Sequence, residues 1–200
     1  MARGFTDREK DIIRKDLIDK GRELFGLYGL RKTSIEDLTK AVGIAQGSFY
    51  TFFNSKEELY LEVINQEGEI IKEKYFSEDS TEKLTRKRFK NFFRKVLQIV
   101  HINPIIKQIF LEEEIDFLIR KIPPEKMKEY HKRFFNQILI LIKKWQKEGA
   151  IINHKPEVIA AVLQTMFHLI LHKNDYEEED FEDITELLID IMATGLVVEN

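Results

Sequence analysis

Apolar side chains recur at Ile12, Ile13, Leu17, Leu24, Phe25 and Tyr28, with Ile18 on the same face. This is a helix period, and it predicts a helix over 7–29 that Gly29 closes. Thr33-Ser34-Ile35-Glu36 reads as a capping box that opens a short second helix ending at Gly43. A third helix is predicted from about Ala45 to Phe52. Asn54-Ser55-Lys56-Glu57-Glu58 opens a fourth, with Ser55 and Glu58 as a second box, so that a helix covers 56–76. Five more are predicted near 81–101, 104–121, 124–148, 156–173 and 179–197. The breaks are SEDS at 77–80, Asn103-Pro104, Pro123-Pro124, Gly149 to Pro156, and Lys173-Asn174-Asp175. Pro104, Pro124 and Pro156 stand at helix starts, where the missing N–H costs nothing. The pattern describes an all-α chain of nine helices without internal repeats.

Composition supports this. With 200 residues, 43% of them hydrophobic, only 9 Gly and 4 Pro, the chain can build a sizeable helical core. There is no cysteine, which excludes disulfides, thiol nucleophiles and thiolate metal sites. MARGFTDREKD lacks the apolar stretch of a secretory signal, and no apolar run approaches membrane-spanning length. The expectation is a cytoplasmic protein. The net charge of −3 divides unevenly, residues 1–56 carrying +3 and the remainder −6. A basic N-terminal quarter on an acidic body is compatible with a polyanionic partner. The acidic run Asp175 to Asp183 is most simply a solvated linker into a helix N-terminus.

One stretch demands more than a core or a loop would. IAQGSFYTFF sets the poor helix formers Gln46, Gly47 and Ser48 beside Phe49, Tyr50, Phe52 and Phe53. A helix-turn-helix over 35–53 explains both halves. Ile35, Leu38, Val42, Ile44, Phe49 and Phe52 supply the crossing, and Gly43 the turn. Ala45, Gln46, Gly47, Ser48, Tyr50 and Thr51 then present a small, polar face at the start of a recognition helix, where base edges are met. Gln46 suits adenine, while Ser48 and Tyr50 suit phosphate oxygens. Lys56, at the next helix start, is placed for a phosphate, and Arg31, Lys32 and Thr33 precede the second helix as further backbone contacts.

The segment GLYGLRKTSIEDLTKAVGIAQGSFYTFFNSKEELYLEVI resembles the DNA-binding domain of the TetR family of bacterial repressors. Thr33, Gly43, Ala45, Gly47, Ser48, Phe49, Tyr50, Phe53, Ser55, Lys56, Glu57 and Leu59 carry the match, which covers about residues 8–64. Thr39 and Val42 stand where the family usually has Ala, and Phe52 where Tyr or His often meets a phosphate. The resemblance implies a DNA-binding domain over 1–55 and an effector-binding, dimerising body over 56–200. It implies a homodimer on a palindromic double-stranded operator, released when a small, hydrophobic effector tilts the helix near 56–76. The last two helices would pair with a second copy through Ala160, Leu163, Phe167 and Leu171, and through Ile184, Leu188, Ile191 and Gly195.

Phe93, Phe110, Phe117, Tyr130, Phe134, Gln137, Phe167 and His168 are the candidate effector-cavity residues, with His131 as a further polar candidate; most of the body aromatics are expected in core. His168 and His172 have metal-ligand spacing but no third ligand, so no metal and no cofactor are expected. Glu112, Glu113 and Glu114 are consecutive, fan around a helix, and read as surface. No nucleophile motif, carboxylate pair or phosphate loop supports an enzyme. The alternative function is a dimeric helical scaffold whose DNA-binding head is non-functional.

Overall fold

A computed structural model describes residues 5–76, 83–111 and 114–199. Its helices are α1 (Asp7–Lys32), α2 (Ile35–Val42), a 3-10 helix (Gln46–Thr51), α3 (Lys56–Phe76), α4 (Arg86–Ile102), α5 (Pro104–Leu111), α6 (Glu114–Lys121), α7 (Pro124–Lys147), α8 (Pro156–Leu171) and α9 (Glu178–Leu196). The fold is all-α; the sole β feature among the described residues is a bridge between Ile151 and Val197. The helix predicted over 104–121 is described as two segments, and Glu112 and Glu113 lie outside the described residues, as do the SEDS break and the first two residues of the helix predicted over 81–101. α5, α7 and α8 begin at Pro104, Pro124 and Pro156 as the proline rule requires.

Packing divides the chain into two compact units, Met1–Ser77 with Asn103–Ile122, and Glu78–Ile102 with Pro123–Asn200. In the first, α1 opens with a capping box in which the Thr6 hydroxyl accepts from Glu9 N (3.3 Å) and Glu9 accepts from Thr6 N (2.7 Å). Its buried stripe is Leu17, Ile18, Gly21, Phe25 and Leu30, whereas Ile12 and Tyr28, expected inside, are exposed. Gly21 lies against α3, where a Cβ would be 3.3 Å from Phe25 and 3.4 Å from the buried Leu59. Phe25 and Tyr60 meet edge to face at 4.9 Å.

Gly29 interrupts α1 with φ 77° and ψ 168°, and one further turn follows it. The capping box shifts as a consequence. Thr33 is buried and its hydroxyl donates back to Gly29 O (2.8 Å), so Ser34 caps α2 instead, exchanging bonds with Asp37 (3.1 and 3.0 Å). The Ser34 hydroxyl also donates to the Asp37 carboxylate (2.6 Å), and this bond first and the Ser34 N–H second hold that carboxyl below its ordinary pKa. At α3, Ser55 caps Glu58 N as expected (3.2 Å), while the Glu58 carboxylate reaches Asn54, one residue beyond the expected partner.

Segment 103–122 joins this unit through buried polar contacts as well as apolar ones. Asn103 Oδ1 accepts from Ile105 N and Ile106 N (both 3.0 Å), capping α5, and its amide donates to Glu67 of α3 (2.6 Å). Glu67, itself buried, also faces Arg22 Nε of α1 at 3.1 Å.

In the second unit, α4 packs on α9 and α7 and α9 on α8. Phe89 and Phe93 (4.9 Å apart) and Trp145 lie in its core with Ile142, Leu163, Met166, Ile189 and Met192. Arg94 grips Glu186 through two nitrogens (2.9 and 2.6 Å), and Lys90 meets Asp190 at 2.7 Å. Among the described residues no helix is long and apolar enough to cross a membrane.

Gly29 carries a clear expectation. Its backbone lies in a region that essentially only glycine adopts, and a Cβ would meet Glu114 Oε1 at 2.8 Å and Gln108 Oε1 at 2.9 Å. Gly29→Ala should lose ~1–3 kcal/mol from the backbone alone. Urea unfolding checks this, and unchanged stability refutes it.

Candidate nucleic-acid interface

The interface is built on a helix-turn-helix whose corner is Gly43, in the left-handed conformation (φ 74°, ψ 30°) that glycine tolerates best. Leu38 and Phe49 are fully buried between the two helices, and Phe53 and Thr39 are buried with them. Ile35, Val42, Ile44 and Phe52, expected at the crossing, are only half-buried. Thr39 fits at the crossing because its hydroxyl bonds within its own helix, to Ile35 O at 2.9 Å. Arg14 of α1 lies over the Phe53 ring at 5.0 Å and Phe5 meets Phe52 at 5.9 Å, anchoring the aromatic side.

The second element is a 3-10 helix, Gln46–Thr51, where an ordinary helix was expected. Gly47 and Ser48 are poor helix formers, Ala45 offers no side-chain cap, and i to i+3 bonds such as Ser48 N to Ala45 O (2.9 Å) tighten the short turn. With Phe49 buried, Ala45, Gln46, Gly47, Tyr50 and Thr51 are exposed on its outer side and Ser48 is half-buried. Tyr50 stands edge-on to Phe49 (5.7 Å) yet remains 60% exposed. Among the described residues nothing within 4 Å would meet a Cβ on Gly47. The bareness at this position therefore has no cause inside the fold.

Beside this face lies an open depression of about 430 Å³ lined by Ser34, Ile35, Gln46, Tyr50, Asn54, Ser55, Lys56 and Glu57. The first turns of α2 and α3 both border it, and exposed N–H groups at helix starts favour anions.

Three of the cationic and polar positions expected to touch DNA are engaged elsewhere. Lys56 turns its ammonium onto the end of α1, donating to Leu30 O (2.7 Å), Arg31 O (3.2 Å) and Thr33 O (2.8 Å). All three of its protons are used, and its side chain ties α3 to the α1–α2 corner. Desolvation at this site lowers its pKa, opposed by the charges of Glu57 and Glu114. Thr33 is buried and so unavailable for a surface contact. Arg31 faces Glu114 of α6 (Nε to Oε2, 4.0 Å) and lies over the Phe117 ring at 5.3 Å. Lys32 is exposed.

Glu114 is the residue that sequence reasoning missed. It reads as surface in a run of three glutamates, yet it is buried against the α1 kink. Nothing in the local pattern separates it from its neighbours, because its burial comes from the packing of α6 on α1.

The effector candidates are dispersed between the units. Phe110 (half-buried) and Phe117 are in the first, the latter under Arg31 and Lys121. In the second, Phe93 is buried in an aromatic cluster, Phe167 is half-buried, and Gln137 and His168 are exposed. Tyr130 is half-buried there, with a phenol pushed up to about 12 by burial, beside the exposed His131 (ring centroids 6.3 Å apart). The Phe134 side chain lies outside the described residues.

Residues 17–63 match the family described as "Bacterial regulatory proteins, tetR family". These residues form a TetR-type DNA-binding domain. The TetR match covers the helix-turn-helix and the first part of α3. The "HTH-type transcriptional repressor KstR2" of Rhodococcus jostii is 41% identical over 51 residues, 26% of this chain and 25% of that protein. The chain thus matches only about a quarter of that relative's length. The "Uncharacterized HTH-type transcriptional regulator YhgD" of Bacillus subtilis is 26% identical over 92% of this chain and 97% of its own. For the fold, a TetR-family transcriptional regulator from Pectobacterium atrosepticum superposes with a TM-score of 0.76 at 19% identity, covering 98% of this chain and 99% of that one. These relatives are named as transcriptional regulators, and the part of this chain that matches the family model is the DNA-binding domain.

The Lys56 tie is testable by stability alone. Hydrogen bonds from a charged donor contribute ~1.5–3 kcal/mol, so Lys56→Met should destabilise the protein by about that range. A solvated lysine would leave the thermal midpoint where it was.

Proposed function

We propose that this protein is a TetR-family repressor that binds a palindromic double-stranded DNA operator as a homodimer and is released by a small, hydrophobic effector. The observation that carries the DNA reading is the outer face of the 3-10 helix, exposed, small and polar, on an element whose inner face is fully buried. Gly47 is the sharpest part of it. Glycine costs helix propensity, and no neighbour among the described residues demands it. A close-lying groove wall does. Gln46 is then the base-edge reader, and Tyr50, Ser48 and Thr51 hold phosphates with Ala45 at closest approach. The N–H groups at the starts of α2 and α3, bordering the depression, take phosphates where the Lys56 side chain is withheld.

In this reading residues 1–55 recognise DNA, and 56–200 bind effector and dimerise in the cytoplasm. Two recognition elements about 34 Å apart fit successive major grooves, so a two-fold dimer suits them. The dimer contact falls on α8 and α9 but not on every residue first assigned to it. Ala160 and Leu163 are buried within their own chain. The apolar side chains left outside are Val158 and Val162 on α8 and Leu187 (63% exposed) and Ile191 (59%) on α9, with Ile184, Leu188, Phe167 and Leu171 half-buried and Gly195 exposed. An effector that binds the DNA-competent and released states unequally shifts the protein between them, the helix 56–76 carrying the change.

Two outcomes are expected. Gly47→Ala should stabilise the fold by about 0.4–1 kcal/mol, since no contact opposes the methyl group, while weakening DNA binding. Selection of duplexes from a random pool, followed by binding measurements on the enriched site, checks this; recovery of no enriched sequence, or equal binding by Gly47→Ala, overturns the reading. Ile191→Glu with Leu187→Glu should shift the protein to monomer in sedimentation, and an unchanged assembly rules out this α9 face.

A further inference from the structure

Phe5 stands just before the cap Thr6, a place where an apolar side chain often packs on the fourth residue of its own helix. In α1 that residue is Lys10, which bonds to Asp7 (3.2 Å) and offers no apolar partner. Phe5 lies half-buried against Phe52 instead, with ring centroids 5.9 Å apart. Phe52 directly follows Thr51, the last residue of the recognition element. The start of α1 is thus fastened beside the end of that element, by an apolar contact that salt does not screen.

Arg8 stands in the helical turn that grows from this contact. It is exposed, and it has neither ion pair nor hydrogen bond among the described residues. The acidic residues on either side of it are engaged. Glu9 accepts from the Thr6 N–H and hydroxyl (both 2.7 Å), and Asp7 holds Lys10. Glu9 closes the helix start with its own carboxylate, which leaves the Arg8 guanidinium as the anion-seeking group of this turn. Arg8 gives up no partner on meeting a phosphate, and a guanidinium takes a phosphate through short, bidentate, charge-assisted bonds. We propose that Arg8 is a phosphate contact of the DNA-binding surface, held beside the recognition element by the packing of Phe5 on Phe52. This rests on the DNA-binding reading above. Phe5 touches no DNA itself and acts as a positioning residue.

The salt dependence of binding counts phosphate contacts and separates this from a solvated arginine. Each contact steepens the fall of log K with log salt by roughly 0.9. The probe is a labelled random-sequence duplex, with anisotropy measured over a salt series for the full chain. Arg8→Ala should flatten the slope by about 0.9 for each protomer bound, and Arg8→Lys should keep most of it. Phe5→Ala should flatten it as Arg8→Ala does, and the double variant no further. Lys15, an equally exposed cation on α1 about 10 Å further along the helix, is the control, and Lys15→Ala should leave the slope at the wild-type value. An Arg8→Ala slope equal to wild type overturns the inference and leaves the DNA-binding reading intact. Equal flattening by Lys15→Ala makes the effect one of net charge and overturns it too. A Phe5→Ala slope equal to wild type overturns the placement by Phe5. If Phe5→Ala does not fold, Phe5→Leu replaces it, and failure of both makes Phe5 structural and overturns that placement. A wild-type protein with no salt-dependent binding overturns the DNA-binding reading, and this inference with it.

Discussion

Much of the first unit depends on how α1 ends. Gly29 breaks the helix with a backbone that a side chain would prevent, and the chain leaves at a new angle. Four polar side chains from different elements gather at that corner. The Thr33 hydroxyl closes onto Gly29 O, the Lys56 ammonium gathers the Leu30, Arg31 and Thr33 carbonyls, and Glu114 and Gln108 occupy the space beside Gly29. Carbonyls left over at a helix end need partners. Supplying them from the start of α3 joins the α1–α2 corner to the helix that follows the recognition element. The direction of α2, and so the outward face of Gln46–Thr51, follows from this arrangement.

The same unit shows why contiguous sequence is a poor guide to packing. Residues 103–122 are remote from α1 in the chain yet belong with it, because Asn103 caps α5 and anchors it on Glu67, which in turn faces Arg22. The Asn103 amide satisfies Glu67 Oε1, while Glu67 Oε2 and Arg22 Nε attract each other as an ion pair without a well-aligned hydrogen bond. α6 follows α5 onto α1 and brings the charge of Glu114 to the corner. A body segment therefore sits within bonding distance of the elements that present the DNA-reading surface.

In the second unit α8 and α9 each divide into an inner and an outer face. Ala160, Leu163, Met166, Ile189 and Met192 fill the chain's own core, and the arginine and lysine of α4 bind the acidic positions Glu186 and Asp190 of α9. What remains outward on α9 is Leu187 and Ile191, a short apolar row flanked by polar residues. A helix that is apolar on two sides has more than one neighbour to satisfy.

By itself the sequence determined the all-α class, the helix starts at Pro104, Pro124 and Pro156, the turn at Gly43 and the motif of the recognition element. These are local properties, governed by backbone freedom, missing N–H groups and periodicity, and each is complete within a few residues. Only tertiary structure decided that Thr33 turns inward so that Ser34 takes the cap, and that the Lys56 ammonium turns onto the carbonyls at the end of α1. Only tertiary structure placed Ala160 inside and Ile191 outside on stripes of similar composition, and chose Glu114 for burial. Each of these outcomes depends on a partner far away in the chain. The spacing of apolar and polar residues states which side chains share a helix face, but not which neighbour that face meets.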